Sequence, residues 1–258
     1  MRSSIKIYLL TGLLVYISNV LSAQEDAREI YTKATDKMLT ENMELVLEMD
    51  ITDKKGRVKM KGYEVLVARF GETEKTKMSW QKPEAAKGTT VIFTELPGET
   101  GLIEVFTPSN GKIRKLKATP DNINMVGSEM RMTNITAQDT DELSFRLLGK
   151  EEVGGKSCHH IEVKAIDAHD HARGELMVEE TSYHIVQINV FDKGGKLTST
   201  VKLSDFQPVD GAVKKIQPMQ ILTEDIEKQR LTEIRVLKIA SRTDLKEEDF
   251  QLPAEKDL

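Results

Sequence analysis

The chain has 258 residues, 37 of them Lys or Arg and 42 Asp or Glu, for a formal net charge of −5. That acidic balance argues against nucleic acid as the main partner, because phosphate binding relies on clustered positive charge. Charged residues at 31% and hydrophobic ones at 39% suit a soluble globular chain, and the single cysteine, Cys158, excludes both an intrachain disulfide and a Cys-rich metal site.

Residues 1–23 read as an export signal. Arg2 and Lys6 form a basic start, the run 7–21 carries no charge, and Ser22 and Ala23 are the small residues a signal peptidase prefers. The other reading, a single membrane anchor, needs about 20 apolar residues, more than this run supplies. No cysteine lies near the cut, so the new terminus is not lipidated there. The expectation is a signal peptide over 1–23, cleaved near Ala23, and one exported domain over 24–258.

The mature chain opens with apolar side chains at Ala27, Ile30, Tyr31, Ala34, Met38 and Leu39, the spacing of one helical face, which predicts a helix over 25–42. Glu25 and Asp26 favour its first turn, and Asn42 is a plausible stop. The period then changes to two. Leu45, Leu47, Met49 and Ile51 alternate with polar neighbours, the turn Asp53-Lys54-Lys55-Gly56 follows, and a long strand runs over 57–70. Further strands are predicted over 73–80, 89–95, 102–107 and 112–116, then over 143–148, 157–165, 174–180, 185–191, 196–206, 212–221 and 231–240. Turn signals such as Ser109-Asn110-Gly111, Gly154-Gly155, Gly194-Gly195 and Asp210-Gly211 separate them. Short connections imply antiparallel pairing, and so many strands imply a curved sheet or a barrel. The stretch 117–142 breaks this rhythm and reads as a loop with one or two short helices, and residues after about 244 read as a terminal loop with a frayed tail.

Signals for catalysis are sparse. His169 and His171 flank Asp170 and suit a metal only if a third ligand joins them; a solvated polar loop is the plainer reading. His159 and His160 fall on opposite faces of one strand, and Cys158 beside His159 diverges from it, so a buried inert thiol is expected rather than a nucleophile and its base. G-x-S-x-G, H-E-x-x-H and helix-opening Gly-rich motifs are absent from the sequence. Asn134-Ile135-Thr136 fits a glycosylation sequon, relevant only to a eukaryotic secretory route. The more informative pattern lies in the long strand, where Val58, Met60, Leu66, Ala68 and Phe70 make one face apolar and Tyr63, Val65 and Val67 the other. Each face then needs a cover: ordinary core, or a ligand, with Met125, Met130 and Met132 supplying adaptable apolar surface.

Five stretches in order resemble the bacterial outer-membrane lipoprotein-sorting family of the LolA/LolB-like superfamily. They are Trp80-Gln81-Lys82-Pro83 with Lys87-Gly88-Thr89; Val105-Phe106-Thr107-Pro108 with Gly111-Lys112-Ile113-Arg114; Met125-Val126-Gly127-Ser128-Glu129-Met130; Leu148-Gly149-Lys150-Glu151 with Gly155-Lys156-Ser157-Cys158; and the turns Asp192-Lys193-Gly194-Gly195-Lys196 and Val209-Asp210-Gly211. The sequence departs from the family where Met130 stands for an aromatic, where Phe106-Thr107 replaces tyrosine-leucine, and where Thr136-Ala137-Gln138-Asp139 replaces an acidic step.

The resemblance implies a mainly β (α+β) fold: an incomplete, strongly curved antiparallel β-barrel of about eleven strands, with the N-terminal helix and a short helical insertion lidding the concave face. It implies a non-enzymatic periplasmic carrier or chaperone whose hydrophobic cavity holds acyl chains of lipoproteins or another lipid, without a cofactor. Its partners would be an inner-membrane transporter and an outer-membrane acceptor. The alternative within the same fold is an envelope-stress sensory module that binds a protein. Expected lining residues are Met60, Leu66, Phe70, Met78, Trp80, Phe93, Phe106, Met125, Met130 and Met132, with Arg114 as a lid anchor, reaching a helix carbonyl or Asp139.

Overall fold

A computed structural model describes residues 27–38, 42–95, 101–118, 140–165 and 173–254. The signal segment 1–23, the helical insertion with Met125, Met130 and Met132, the Asn134 sequon, Asp139, and the pair His169 and His171 lie outside the described residues.

Among the described residues one α-helix, α1 (27–38), precedes thirteen strands. They are β1 (Met43–Thr52), β2 (Val58–Phe70), β3 (Thr73–Lys82), β4 (Thr90–Glu95), β5 (Leu102–Thr107), β6 (Lys112–Lys117), β7 (Leu143–Val153), β8 (Lys156–Ala165), β9 (Arg173–Glu179), β10 (Ile185–Phe191), β11 (Leu197–Pro208), β12 (Ile216–Asp225) and β13 (Arg230–Ser241). They form one sheet in the order β6-β5-β4-β3-β2-β1-β13-β12-β11-β10-β9-β8-β7, which ends on β6 and β7 and is therefore open. The mainly β fold with an open antiparallel sheet matches the expectation. The strand number is thirteen rather than about eleven, one for each segment read from the pattern.

Three boundaries differ from the pattern for local reasons. β7 continues past Leu148 to Val153 because a bulge between Leu147 and Gly149 carries the ladder through the glycine, at φ 140. β12 starts at Ile216 because residues 209–215 close a turn: Val209 N–H donates to the Lys215 carbonyl at 2.9 Å and Ala212 N–H to the Val209 carbonyl at 3.2 Å. The segment after 244 is not a frayed tail as far as it is described. Glu247–Phe250 form a 3₁₀ turn, and Phe250 is buried with its ring 5.5 Å from Phe70.

The chain divides into two compact units, residues 1–36 with 138–198 and residues 37–137 with 199–258. In the first unit α1 buries Ala27, Ile30 and Ala34. Its Tyr31 ring lies 5.0 Å from Phe145 of β7, and Arg28 donates to Asp141 at 2.9 Å and to the Thr140 carbonyl at 3.2 Å. Lys33 sits 5.2 Å from the Tyr183 ring in the β9–β10 turn. The helix thus covers the strands of its own unit, as an amphipathic stripe must. In the same unit Cys158, Ile161, Met177 and Val178 are also buried, and register puts Ile161 and Val178 on the face of Phe145 and Cys158 and Met177 on the other. Burial holds the Cys158 thiol above its ordinary pKa, as an inert core thiol requires.

Candidate functional site

In the second unit the alternation of β1 sets the site. Directly paired residues of an antiparallel ladder project to the same face, so register sorts every neighbour. Leu45 faces Val65 of β2 and Ile239 of β13, and Val65 faces Met78 of β3, which faces Val91 of β4 and then Val105 of β5. A second row runs Met43, Val67, Thr76, Phe93, Ile103, and a third Val236, Leu47, Tyr63, Trp80. A fourth, on the other side of Leu47, joins Ile221, Ile234 and Met49. These side chains form one continuous apolar cluster across β1–β5, β12 and β13. Tyr63 and Trp80 meet edge-on, ring centroids 5.0 Å apart at 72°.

Polar groups on this face are few. Lys61 stands opposite Met49, and its ammonium is held below the usual lysine pKa by burial, with Lys59 and Arg230 adding repulsion. Two hydroxyls, those of Tyr63 and Thr232, are buried with no hydrogen-bond partner among the described residues.

The opposite face of the same strands is charged and paired. Lys82 reaches Glu48 at 2.5 Å, Arg235 reaches Asp50 at 3.0 Å, Lys238 reaches Glu44 at 2.6 Å, and Arg242 also pairs with Glu44. Lys238 and then Arg242 hold the Glu44 carboxyl below its ordinary pKa. Within this charged face Ala68, Ile92 and Phe106 make a smaller buried patch. Beside it Phe250 packs on Phe70, and Lys77 donates to the Asp249 carbonyl at 2.7 Å.

A solved DUF1329 family protein from Desulfovibrio piger is 16% identical, covering 89% of this chain and 97% of that one at a TM-score of 0.76. A putative outer membrane lipoprotein-sorting protein domain from Vibrio parahaemolyticus is 14% identical, covering 88% and 97% at 0.73. A LolA superfamily protein from Nitrosomonas europaea is 16% identical, covering 87% and 97% at 0.66. No curated protein matches the sequence. A family model whose description reads "Uncharacterized protein" matches residues 72–254, most of the chain. The chain belongs to that family, and its fold is LolA-like.

The LolA-like sheet divides the expected lining residues between its two faces. Met78, Trp80 and Phe93 come together in the apolar cluster, 2%, 5% and 4% exposed. Met60, Leu66, Phe70 and Phe106 share the face of Asp50, Glu44, Lys77 and Thr90 instead. Met60 is half exposed there, as is Val58, so the even-numbered residues of β2 do not make a second buried face along its whole length. Arg114 pairs with Val105 and lies exposed on the edge strand β6, at the rim of the apolar face. The pattern missed Leu47, Met49, Tyr63, Val65, Ile234 and Val236 as members of the site, although the period of β1 marked its share of them.

Among the described residues no group of three or more His, Cys, Asp or Glu could hold a metal ion. His160 is engaged by Glu175 at 3.0 Å and Glu151 at 3.3 Å. His159 stacks on Tyr183 at 6.4 Å. Among the described residues no helix is long and apolar enough to cross a membrane.

Proposed function

We propose that this protein is a periplasmic carrier that shields acyl chains of a lipoprotein or another lipid on the apolar face of its second unit. The observation that carries the reading is the continuous apolar cluster spanning Val65, Met78, Val91, Phe93 and Ile103, set against a face of paired charges. A saturated sixteen-carbon chain exposed to water costs about 12 kcal/mol at ~0.8 kcal/mol per CH₂. A carrier must offer comparable apolar area, and the association cost of about 4–15 kcal/mol keeps the net affinity modest enough for release. The lipoprotein-sorting domain of the same fold supports this cargo class. Residues 1–23 would direct export and leave one domain from residue 24, and a donor in the inner membrane and an acceptor in the outer one would complete the route. Such a carrier invokes no catalytic residue. Met78, Trp80 and Phe93 from the expected set, joined by Val65 and Tyr63, would line the cargo, and Arg114 would stand at the rim.

Trp80 is the chain's one tryptophan, which gives a direct test. Palmitic acid carrying bromine on its chain is expected to quench Trp80 emission saturably, while unbrominated palmitic acid is not. Saturable binding by mass spectrometry with Trp80 unquenched would place the lipid elsewhere and refute the reading.

A further inference from the structure

Tyr63 is fully buried on the apolar face, and among the described residues its hydroxyl has no hydrogen-bond partner. Its register neighbours are Leu47 and Trp80, and Val65, two residues along β2, presents more hydrocarbon on the same face. None of these side chains carries an acceptor suited to a phenol. Buried tyrosine hydroxyls ordinarily find a partner, because an unmade hydrogen bond in a low-dielectric interior costs free energy that phenylalanine would avoid. Burial also holds this phenol well above the usual tyrosine range, so it stays a neutral O–H donor at any physiological pH.

We propose that the Tyr63 hydroxyl is the polar recognition point for cargo and donates to the carbonyl oxygen at the head of an acyl chain, as an ester or amide. This inference rests on the carrier reading and narrows it. A hydrocarbon chain alone satisfies the cluster but leaves the donor orphaned. An ionised carboxylate beside Tyr63 would pay a heavy desolvation cost, so a fatty acid keeps its head at the rim, away from the hydroxyl. A neutral acyl carbonyl meets both demands: its chain lies along the Val65, Met78 and Val91 row while its oxygen accepts from Tyr63. Tyr63 is a binding residue here, and its hydroxyl sets selectivity rather than total affinity.

The test compares 1-monopalmitoylglycerol with its ether counterpart 1-O-hexadecylglycerol, which lacks only the carbonyl, as competitors of bound cis-parinaric acid on the full-length protein. The wild type is expected to bind the ester about 3–10-fold tighter than the ether, the range one net hydrogen bond supplies. In Tyr63→Phe the ratio is expected to fall to about one, with ether affinity unchanged and the melting temperature no lower. An unchanged ester-to-ether ratio in Tyr63→Phe overturns the inference alone, as does a variant that loses stability, which would reveal a structural partner for the hydroxyl. If cis-parinaric acid does not bind the wild type, or neither lipid displaces it, the carrier reading falls and takes this inference with it. N-palmitoylethanolamide in a third arm separates amide from ester: whichever carbonyl lipid loses more affinity on Tyr63→Phe carries the linkage recognised.

Discussion

Gly101 offers a sharp test of how the apolar face is packed. A Cβ placed there would lie 2.8 Å from Cε2 and 3.1 Å from Cζ of Phe93, and 3.2 Å from the Thr94 carbonyl oxygen. The Phe93 ring is only 4% exposed and stands in register between Thr76 and Ile103, so it has little room to swing aside. Gly101→Ala should therefore destabilise by about 1–3 kcal/mol through overpacking, reduced by the ~0.4–1 kcal/mol that a less flexible unfolded chain returns. Phe93→Leu removes the two ring atoms that would clash and costs about 1–2 kcal/mol by itself, below the roughly 3–5 kcal/mol of full truncation. In the double variant the alanine meets a shorter side chain, so the two effects should couple by about 1–2 kcal/mol. Urea unfolding followed by Trp80 emission reads the right unit, since Trp80 is buried in the same cluster. If the single-variant costs add to within about 0.3–0.5 kcal/mol, the ring does not lie over Gly101, and Phe93 leaves the list of lining residues.

Two further outcomes concern stability. Glu162 is buried among Arg146 at 3.0 Å, Lys164 at 3.0 Å and Arg173 at 3.6 Å; burial pushes its carboxyl up, but Arg146 and Lys164 outweigh that and hold it below the ordinary range. Glu162→Gln should cost about 1–3 kcal/mol at pH 7, less than a wholly buried pair because Arg146 and Lys164 remain half in water. A lowered folded-state pKa contributes stability above the unfolded value near ~4.3 and loses it as pH falls through the folded value. The gap between wild type and variant in urea should therefore close toward pH 3, and a gap of constant size would contradict the ion-pair account. Phe250→Ala should cost about 3 kcal/mol and free the 3₁₀ turn from Phe70 at the end of β2, measured by urea unfolding and by proteolysis after Lys246. A loss under ~1 kcal/mol would mean that the segment is not anchored by that ring.

Much of the fold was legible because antiparallel strands with short turns write their period locally. Asp53 shows how local the signal is. Its side chain accepts Lys55 N–H at 2.8 Å and Arg57 N–H at 3.1 Å, and its backbone carbonyl accepts Gly56 N–H at 2.8 Å, so four residues close the hairpin. Arg57 helps hold the Asp53 carboxyl down to about 2. The site was legible only in part, because β2 is apolar at both parities. Leu66 and Val65 are indistinguishable as neighbours in a list, and what separates them is register: Leu66 meets Glu44 and Lys77, whereas Val65 meets Leu45 and Met78. That choice is made by partners on other strands, beyond the reach of any local window. The place of Phe250 is hidden for the same reason, since nothing in the acidic stretch around it shows that Phe70 lies beside it.

The closed state of the apolar face bears on how a carrier lets go. Met49, Tyr63, Val65 and Met78 are each no more than 2% exposed, so the face is already covered without cargo. A chain that enters exchanges the lining's existing contacts for lining-to-chain contacts. Only the chain's own transfer from water is gained outright, and the separation of the lining is a cost set against it. Net affinity is then a difference between two large quantities, tunable by single methylenes on either side. On the other face Glu44, Glu48 and Asp50 each meet a cation, so the middle of that face is polar where the lining is apolar. On the proposed carrier reading, transfer to an acceptor would require no chemical step, only a second apolar surface that binds the chain more tightly than the lining does.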